Sequence, residues 1–210
     1  SKVKRVRPHV NASETYEPRA MPLDSARKCI ELCRESQPLG SMCEVLLYTG
    51  MRVGELCSLT WSNIQWKRRF IVLTKHKTMG TSVRPRQVPL ADCCLEVLEE
   101  LHTSGAKGHV FLGAQQQPLN YSALYRRLTR LRKKHPDLED FTFHRLRHTC
   151  ATWLQRKGVE ERVAQSILGH NSRLMTQYYT TTGEDEMLEA VNMLAESKKQ
   201  EDGEDGETAE

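Results

Sequence analysis

The chain has 210 residues, 38% of them hydrophobic and 28% charged, a balance that suits one domain of good size with a real core. Its net charge of +4 hides an asymmetry: the last ten residues hold six acidic groups and no Lys or Arg, leaving 31 basic against 21 acidic groups upstream, a balance of +10 that favours a polyanionic partner. No apolar stretch approaches the length of a membrane span, no secretory signal is present, and seven cysteines without a paired Cys-x-x-Cys set read as reduced thiols packed as small hydrophobes.

In chain order, hydrophobic periodicity predicts helices over 23–36, 41–48 and 52–59. Strands follow at 70–74 and 84–88, then helices at 91–102, 121–134, 143–157, 161–168, 172–178 and 184–196. Asp24 and Ser172 are expected as helix caps and Gly158 as a helix stop. The last helix is amphipathic through Met187, Leu188, Val191, Leu194 and Ala195, whereas residues 197–210 are too charged and too poor in apolar groups to fold, an acidic disordered tail. The fold class is α+β, mostly α-helical, with a small sheet on one side.

Chemistry concentrates in the run Phe-Thr-Phe-His-Arg-Leu-Arg-His-Thr at 141–149. At about 100° per residue a helix puts His144, Arg147, His148 and Ala151 on one face, with Leu146, Cys150, Trp153 and Leu154 beside it. One face is core and the other presents donors, which suit the charged non-bridging oxygens of a phosphodiester in exchange, since a forked guanidinium takes them bidentately. A second fork comes from Arg52, where Gly50 reads as a turn and a new helix starts, adding backbone N–H groups and a positive dipole end. Gly169 fits a left-handed helix cap ahead of His170, and Tyr179 stands nine residues beyond that histidine. The His144/His148 pair could suggest zinc, but Arg145 and Arg147 lie between them and would repel a cation. There is no phosphate-binding Gly-x-x-x-x-Gly-Lys loop and no carboxylate cluster suited to paired magnesium ions.

With these residues the chain resembles the catalytic domain of the tyrosine recombinases, the phage-integrase and Xer-like family, whose Arg…Lys…His-x-x-Arg…His…Tyr set appears here in order over residues 23–196. Any one motif is common by chance; five in order with the nine-residue step are specific. The resemblance implies a small antiparallel sheet beside the helices. It makes Arg52 the first arginine, His144 and Arg147 the His-x-x-Arg pair, His170 the Leu-Gly-His histidine and Tyr179 the nucleophile, with Glu55 and His148 in support. The lysine is Lys77, whose pairing with Thr78 resembles the family's turn, or Lys75, two residues away on the same strand face.

By the same resemblance Tyr179 attacks a DNA phosphodiester, leaves a 3′-phosphotyrosyl link and frees a 5′-hydroxyl, the bond energy being kept in the intermediate. Arg52 and Arg147 hold the non-bridging oxygens, Lys77 protonates the leaving oxygen, and His144 and His170 carry protons or donate to phosphate. No metal, nucleotide or other cofactor is needed. The expected partner is double-stranded DNA, with a homo-tetramer on paired sites, no membrane and no small-molecule substrate, in a cytoplasmic, nucleoid-associated setting. Residues 1–20, with Lys4, Arg5 and Arg7, resemble a basic linker from an upstream DNA-binding domain, and Arg126, Arg127 and Arg130 sit on a helix that the family places near a DNA groove. Residues 21–196 would be the catalytic domain, and its last helix either docks on a neighbouring protomer or packs on its own domain. Two other readings stand beside the recombinase: a type IB topoisomerase-like nicking and closing enzyme, and an inactive DNA-binding accessory module.

Overall fold

The structure, a computed structural model, describes residues 20–73, 85–103, 106–169 and 183–204, with side chains as far as Glu196. Helix α1 (Leu23–Cys33) buries Leu23 and, from Ala26, the i, i+3, i+4, i+7 stripe Ala26, Cys29, Ile30 and Cys33, and tightens into a 3-10 turn at Arg34–Ser36. Asp24 is not its cap. Pro22, whose fixed φ and missing N–H suit a helix boundary, takes that position, and Asp24 accepts from Arg27 at 3.5 Å within the first turn.

Helix α2 (Leu39–Thr49) is buried at every position and is the hub of the domain, packed against α1 and against the later helices that begin at Asp92, Phe143 and Glu184. Its one carboxylate, Glu44, is paired with Arg34. It ends at Gly50, at φ +58°, where a side chain is excluded twice over: a Cβ would be strained by that φ and would lie 2.5 Å from Leu168 Cδ2 and 3.2 Å from Cys150 Sγ. Helix α3 (Val53–Cys57) starts where expected but stops short of residue 59. There the backbone leaves the helix to pair across the chain, Val110 N–H donating to the Leu59 carbonyl and Thr60 bridging His109.

The sheet is antiparallel in the order β1-β2-β3, with β1 (Ile64–Gln65), β2 (Phe70–Leu73) and β3 (Arg86–Pro89) held in register by Ile64 opposite Ile71 and Ile71 opposite Val88. β1 has no counterpart among the expected strands, because two residues carry no periodicity. The returning strand runs two residues later than 84, and its first residue, Arg86, faces inward.

Helices α4 (Asp92–Leu101), α5 (Tyr121–Lys134), α6 (Phe143–Arg156) and α7 (Glu161–Leu168) fall within a residue or so of their predicted bounds. Side-chain caps explain two of the starts: Asn120 accepts from Ala123 N–H at 2.9 Å and Thr142 from Arg145 N–H at 3.1 Å. Gly158, at φ +77°, ends α6 as expected, with Val159 N–H closing back to the Leu154 carbonyl at 3.0 Å.

Helix α8 (Glu184–Glu204) settles its apolar face on its own domain: Met187, Ala190, Val191 and Leu194 are buried against α7, α6, α2, α4 and β3. It also continues past 196, since a lack of apolar groups prevents packing but not winding, and Lys, Gln and Glu are good helix formers. The expected helix at 172–178 with its Ser172 cap, and residues 205–210 of the expected tail, lie outside the described residues. All seven cysteines are free thiols, and burial pushes that of Cys150 up to about 12. No described helix is long and apolar enough to cross a membrane.

Candidate phosphate-binding site

Three chain segments meet where α2 ends: the Gly50–Glu55 turn into α3, the first turns of α6, and the last turn of α7. Arg52 is the N-cap residue of α3, in extended conformation at φ −75°, ψ 142°. Glu55, at the third helical position, reaches back so that the Arg52 backbone N–H donates to Oε2 at 2.8 Å and the guanidinium Nη1 to Oε1 at 3.1 Å. The Arg52 side chain stays 41% exposed while Glu55 is 7% exposed, so the carboxylate is a hidden brace and the guanidinium is presented.

Arg147 is built in the opposite way. It is buried on α6, its Nη1 donating to the Gly50 carbonyl and its Nη2 to the Leu168 carbonyl at 2.7 Å, so one fork ties together the C-terminal ends of α2 and α7. Burial first, then the neighbouring charges of Arg86 and Arg52, bring its pKa down to about 10, which leaves it cationic at neutral pH. Both terminal nitrogens of the fork thus help to hold the fold.

His144 is exposed and His148 half-buried one turn on, their Nε2 atoms 2.9 Å apart and their rings nearly perpendicular at 85°. One ring donates to the lone pair of the other, which needs the accepting Nε2 unprotonated. Burial, then His144 and Arg147, hold the His148 pKa below its ordinary value.

The residue that sequence reasoning passed over is Arg86. Its side chain is only 5% exposed; Nη1 donates to Glu55 Oε2 at 2.6 Å and Nη2 to the Ile167 carbonyl at 2.7 Å. Burial by itself would raise the Glu55 pKa, but Arg86, the Arg52 N–H and the Arg52 charge outweigh it and hold the carboxyl below its ordinary value. Gly169, which caps α7 at φ +66°, lies against the same guanidinium: a Cβ there would sit 2.7 Å from Arg86 Cδ and 2.8 Å from Cζ. Arg86 thus connects the brace of Arg52 to the turn that leads into His170. A signal was present in the chain: Arg86 shares a strand face with the inward-facing Val88, and a cation on an apolar strand face requires a buried carboxylate. Because Arg86→Met would leave the buried Glu55 carboxylate only the part-exposed Arg52 and take this donor from the Ile167 carbonyl, it should lower the domain's stability by about 3–5 kcal/mol in urea denaturation. Arg86→Lys, which keeps the charge but not the fork, should fall between; a change under about 1 kcal/mol for Arg86→Met would sink this account.

A pocket of about 360 Å³ opens beside these groups, lined by Arg52, His144 and Arg147 together with Tyr121, Tyr125 and Arg132 of α5. On the same helix Arg126 and Arg130 are exposed, while Arg127 donates to the Gln37 carbonyl at 3.0 Å. The structure brings Arg52, His144 and Arg147 to one pocket, with Glu55 bonded to Arg52 and His148 against His144. Lys4, Arg5, Arg7, Lys75, Lys77, His170 and Tyr179 lie outside the described residues. Among the described residues no group of three or more His, Cys, Asp or Glu side chains is placed to hold a metal ion.

A mostly helical domain with a small antiparallel sheet to one side has parallels among known proteins. Residues 20–186 match the phage integrase family, and the chain belongs to that family. It is 32% identical over 176 residues to a tyrosine recombinase of Pseudothermotoga lettingae, an overlap that covers 80% of this chain and 58% of the relative. The crystal structure of XerA recombinase is similar with a TM-score of 0.63 at 29% identity, covering 89% of this chain and 65% of that one. A lambda integrase dimer bound to a COC′ core site is similar with a TM-score of 0.55 at 25% identity, covering 76% of this chain and 47% of that one. The chain spans roughly half the length of the recombinases it matches.

Proposed function

We propose that this chain is the catalytic part of a site-specific DNA recombinase or integrase, cleaving and rejoining DNA strands through a 3′-phosphotyrosyl intermediate. The observation that carries the reading is the convergence of a part-exposed Arg52, a buried Arg147 and His144 on one pocket, in a chain of the phage integrase family. Tyr179 attacks the phosphodiester, and the 5′ oxygen leaves as a hydroxyl. Arg52 and Arg147 place positive charge where the non-bridging oxygens gain negative charge, and His144 and His170 donate to phosphate or take the proton that the attacking Tyr179 hydroxyl gives up. Double-stranded DNA is the substrate, contacted also by Lys4, Arg5, Arg7, Arg126, Arg127 and Arg130, and the working assembly is a homo-tetramer on paired sites in the nucleoid. Membership of the integrase family favours this reading over the topoisomerase-like one, and the intact Arg52–Glu55–Arg147 arrangement counts against an inactive accessory module.

A pool of randomised duplexes, nicked so that a cleaved fragment diffuses away, tests the reading whatever the target sequence. In excess chelator the chain should form a covalent protein–DNA adduct that survives denaturing electrophoresis, because arginines and a lysine take the place of metal ions as charge stabilisers. An adduct that needs magnesium, or none at all, would overturn the proposal.

The proton for the leaving oxygen comes from Lys77. On a substrate with a 5′-bridging sulfur, which leaves without a proton, Lys77→Ala should regain most of the rate it loses on ordinary DNA. General acid catalysis is worth roughly 10²–10⁴-fold, so that is the size of the rescue. Rescue of Lys75→Ala instead would move the role two residues upstream.

A further inference from the structure

The α5 residues that line the pocket have no part in the scheme above. Tyr121 and Tyr125, one turn apart on α5, are 52% and 47% exposed. Their rings are stacked near-parallel, 21° between planes, with centroids 6.2 Å apart. They are propped from the protein side. The Phe143 ring meets Tyr121 edge-on at 6.2 Å, and the Arg132 guanidinium, itself held by the Leu138 and Phe141 carbonyls, lies 5.9 Å from the Tyr125 centroid. An i, i+4 aromatic pair adds a few tenths of a kcal/mol to an isolated helix, but that role needs no opening onto Arg52, His144 and Arg147.

A ligand that satisfies both the cationic and the aromatic residues of this lining carries an anion next to a flat π system. We propose that Tyr121 and Tyr125 form a stacking platform for one unpaired nucleobase next to the phosphate held by Arg52 and Arg147. This rests on the DNA-cleaving reading and deepens it. A base inside a duplex has both faces covered by its neighbours, so only a base out of the stack can use the platform. Exchange of strands between two duplexes produces such bases, because a freed strand must leave its complement before it can join another. Holding the first unpaired base beside the phosphate keeps the released end from simply re-pairing.

The test uses binding alone, so that it does not depend on cleavage. The probe is a DNA duplex ending in a 5′-phosphorylated, single-nucleotide 2-aminopurine overhang, compared with the same duplex blunt-ended and fully paired. The wild-type chain should quench the overhang's fluorescence and bind it more tightly than the blunt duplex. Tyr121→Ala and Tyr125→Ala should weaken overhang binding roughly 5- to 100-fold, the range expected for loss of a base–aromatic stack, with little change for the blunt duplex. Tyr121→Phe and Tyr125→Phe should retain both quenching and affinity. Equal binding of the two probes by the wild-type chain, or equal losses on both probes in the alanine variants, overturns the platform and leaves the cleavage reading standing. Failure of the wild-type chain to bind either duplex overturns the DNA reading itself.

Discussion

Tyr179→Phe should abolish covalent trapping on the nicked DNA pool while leaving DNA binding unchanged. The substitution removes one oxygen and nothing else, so what it takes away is the nucleophile; loss of such a group costs on the order of 10⁶ in rate where it has been isolated. Tyr178 is the internal control. It is adjacent and chemically identical, but it stands eight residues from His170, not the nine that the family pattern requires, so Tyr178→Phe should trap adduct at the wild-type rate. Mass spectrometry of the digested adduct reads the attachment point directly. DNA on Tyr178, or adduct that survives Tyr179→Phe, would remove the assignment.

Arg52→Ala and Arg147→Ala should each slow cleavage roughly 10²–10³-fold, the usual cost of losing one donor to a developing oxyanion, and yet differ sharply in stability. Arg52 is 41% exposed and, among the described residues, pairs with a carboxylate that keeps Arg86, so its loss should cost no more than about 1 kcal/mol. Arg147 is buried and is the donor to the carbonyls of Gly50 and Leu168, so its removal strands acceptors at two helix ends, at about 1–3 kcal/mol each. Single-turnover cleavage and urea denaturation on the same preparations separate the two quantities. Full activity in Arg52→Ala would end its role at the phosphate, and unchanged stability in Arg147→Ala would end the account of it as a clamp.

Local rules make much of this molecule legible from its residues alone. The i, i+3, i+4 spacing of His144, Arg147 and His148 places them on one helix face whatever surrounds that helix, and the nitrogens of the two histidines do meet at 2.9 Å. Gly169 and Gly158 are read as left-handed helix ends because the backbone there admits few other residues, and both have positive φ. Helices α5, α6 and α7 carry long apolar stripes and lie within a residue of their expected bounds.

The features decided only by the tertiary structure depend on partners far away in sequence. Arg147 reaches a carbonyl 97 residues distant, and Arg86 bridges groups 31 and 81 residues away, so neither side chain's burial nor its task is encoded in its neighbours. Helix α3 ends early because residues 59 and 60 pair with 109 and 110, a tertiary bond overriding a local helical pattern. The apolar stripe of α8 announced that a face would be covered, but the hydrophobic effect has no direction and names no partner, and only packing chose the domain's own α7 and β3. Periodicity reports which side of an element avoids water; the identity of the atoms on the other side is a property of the assembled chain.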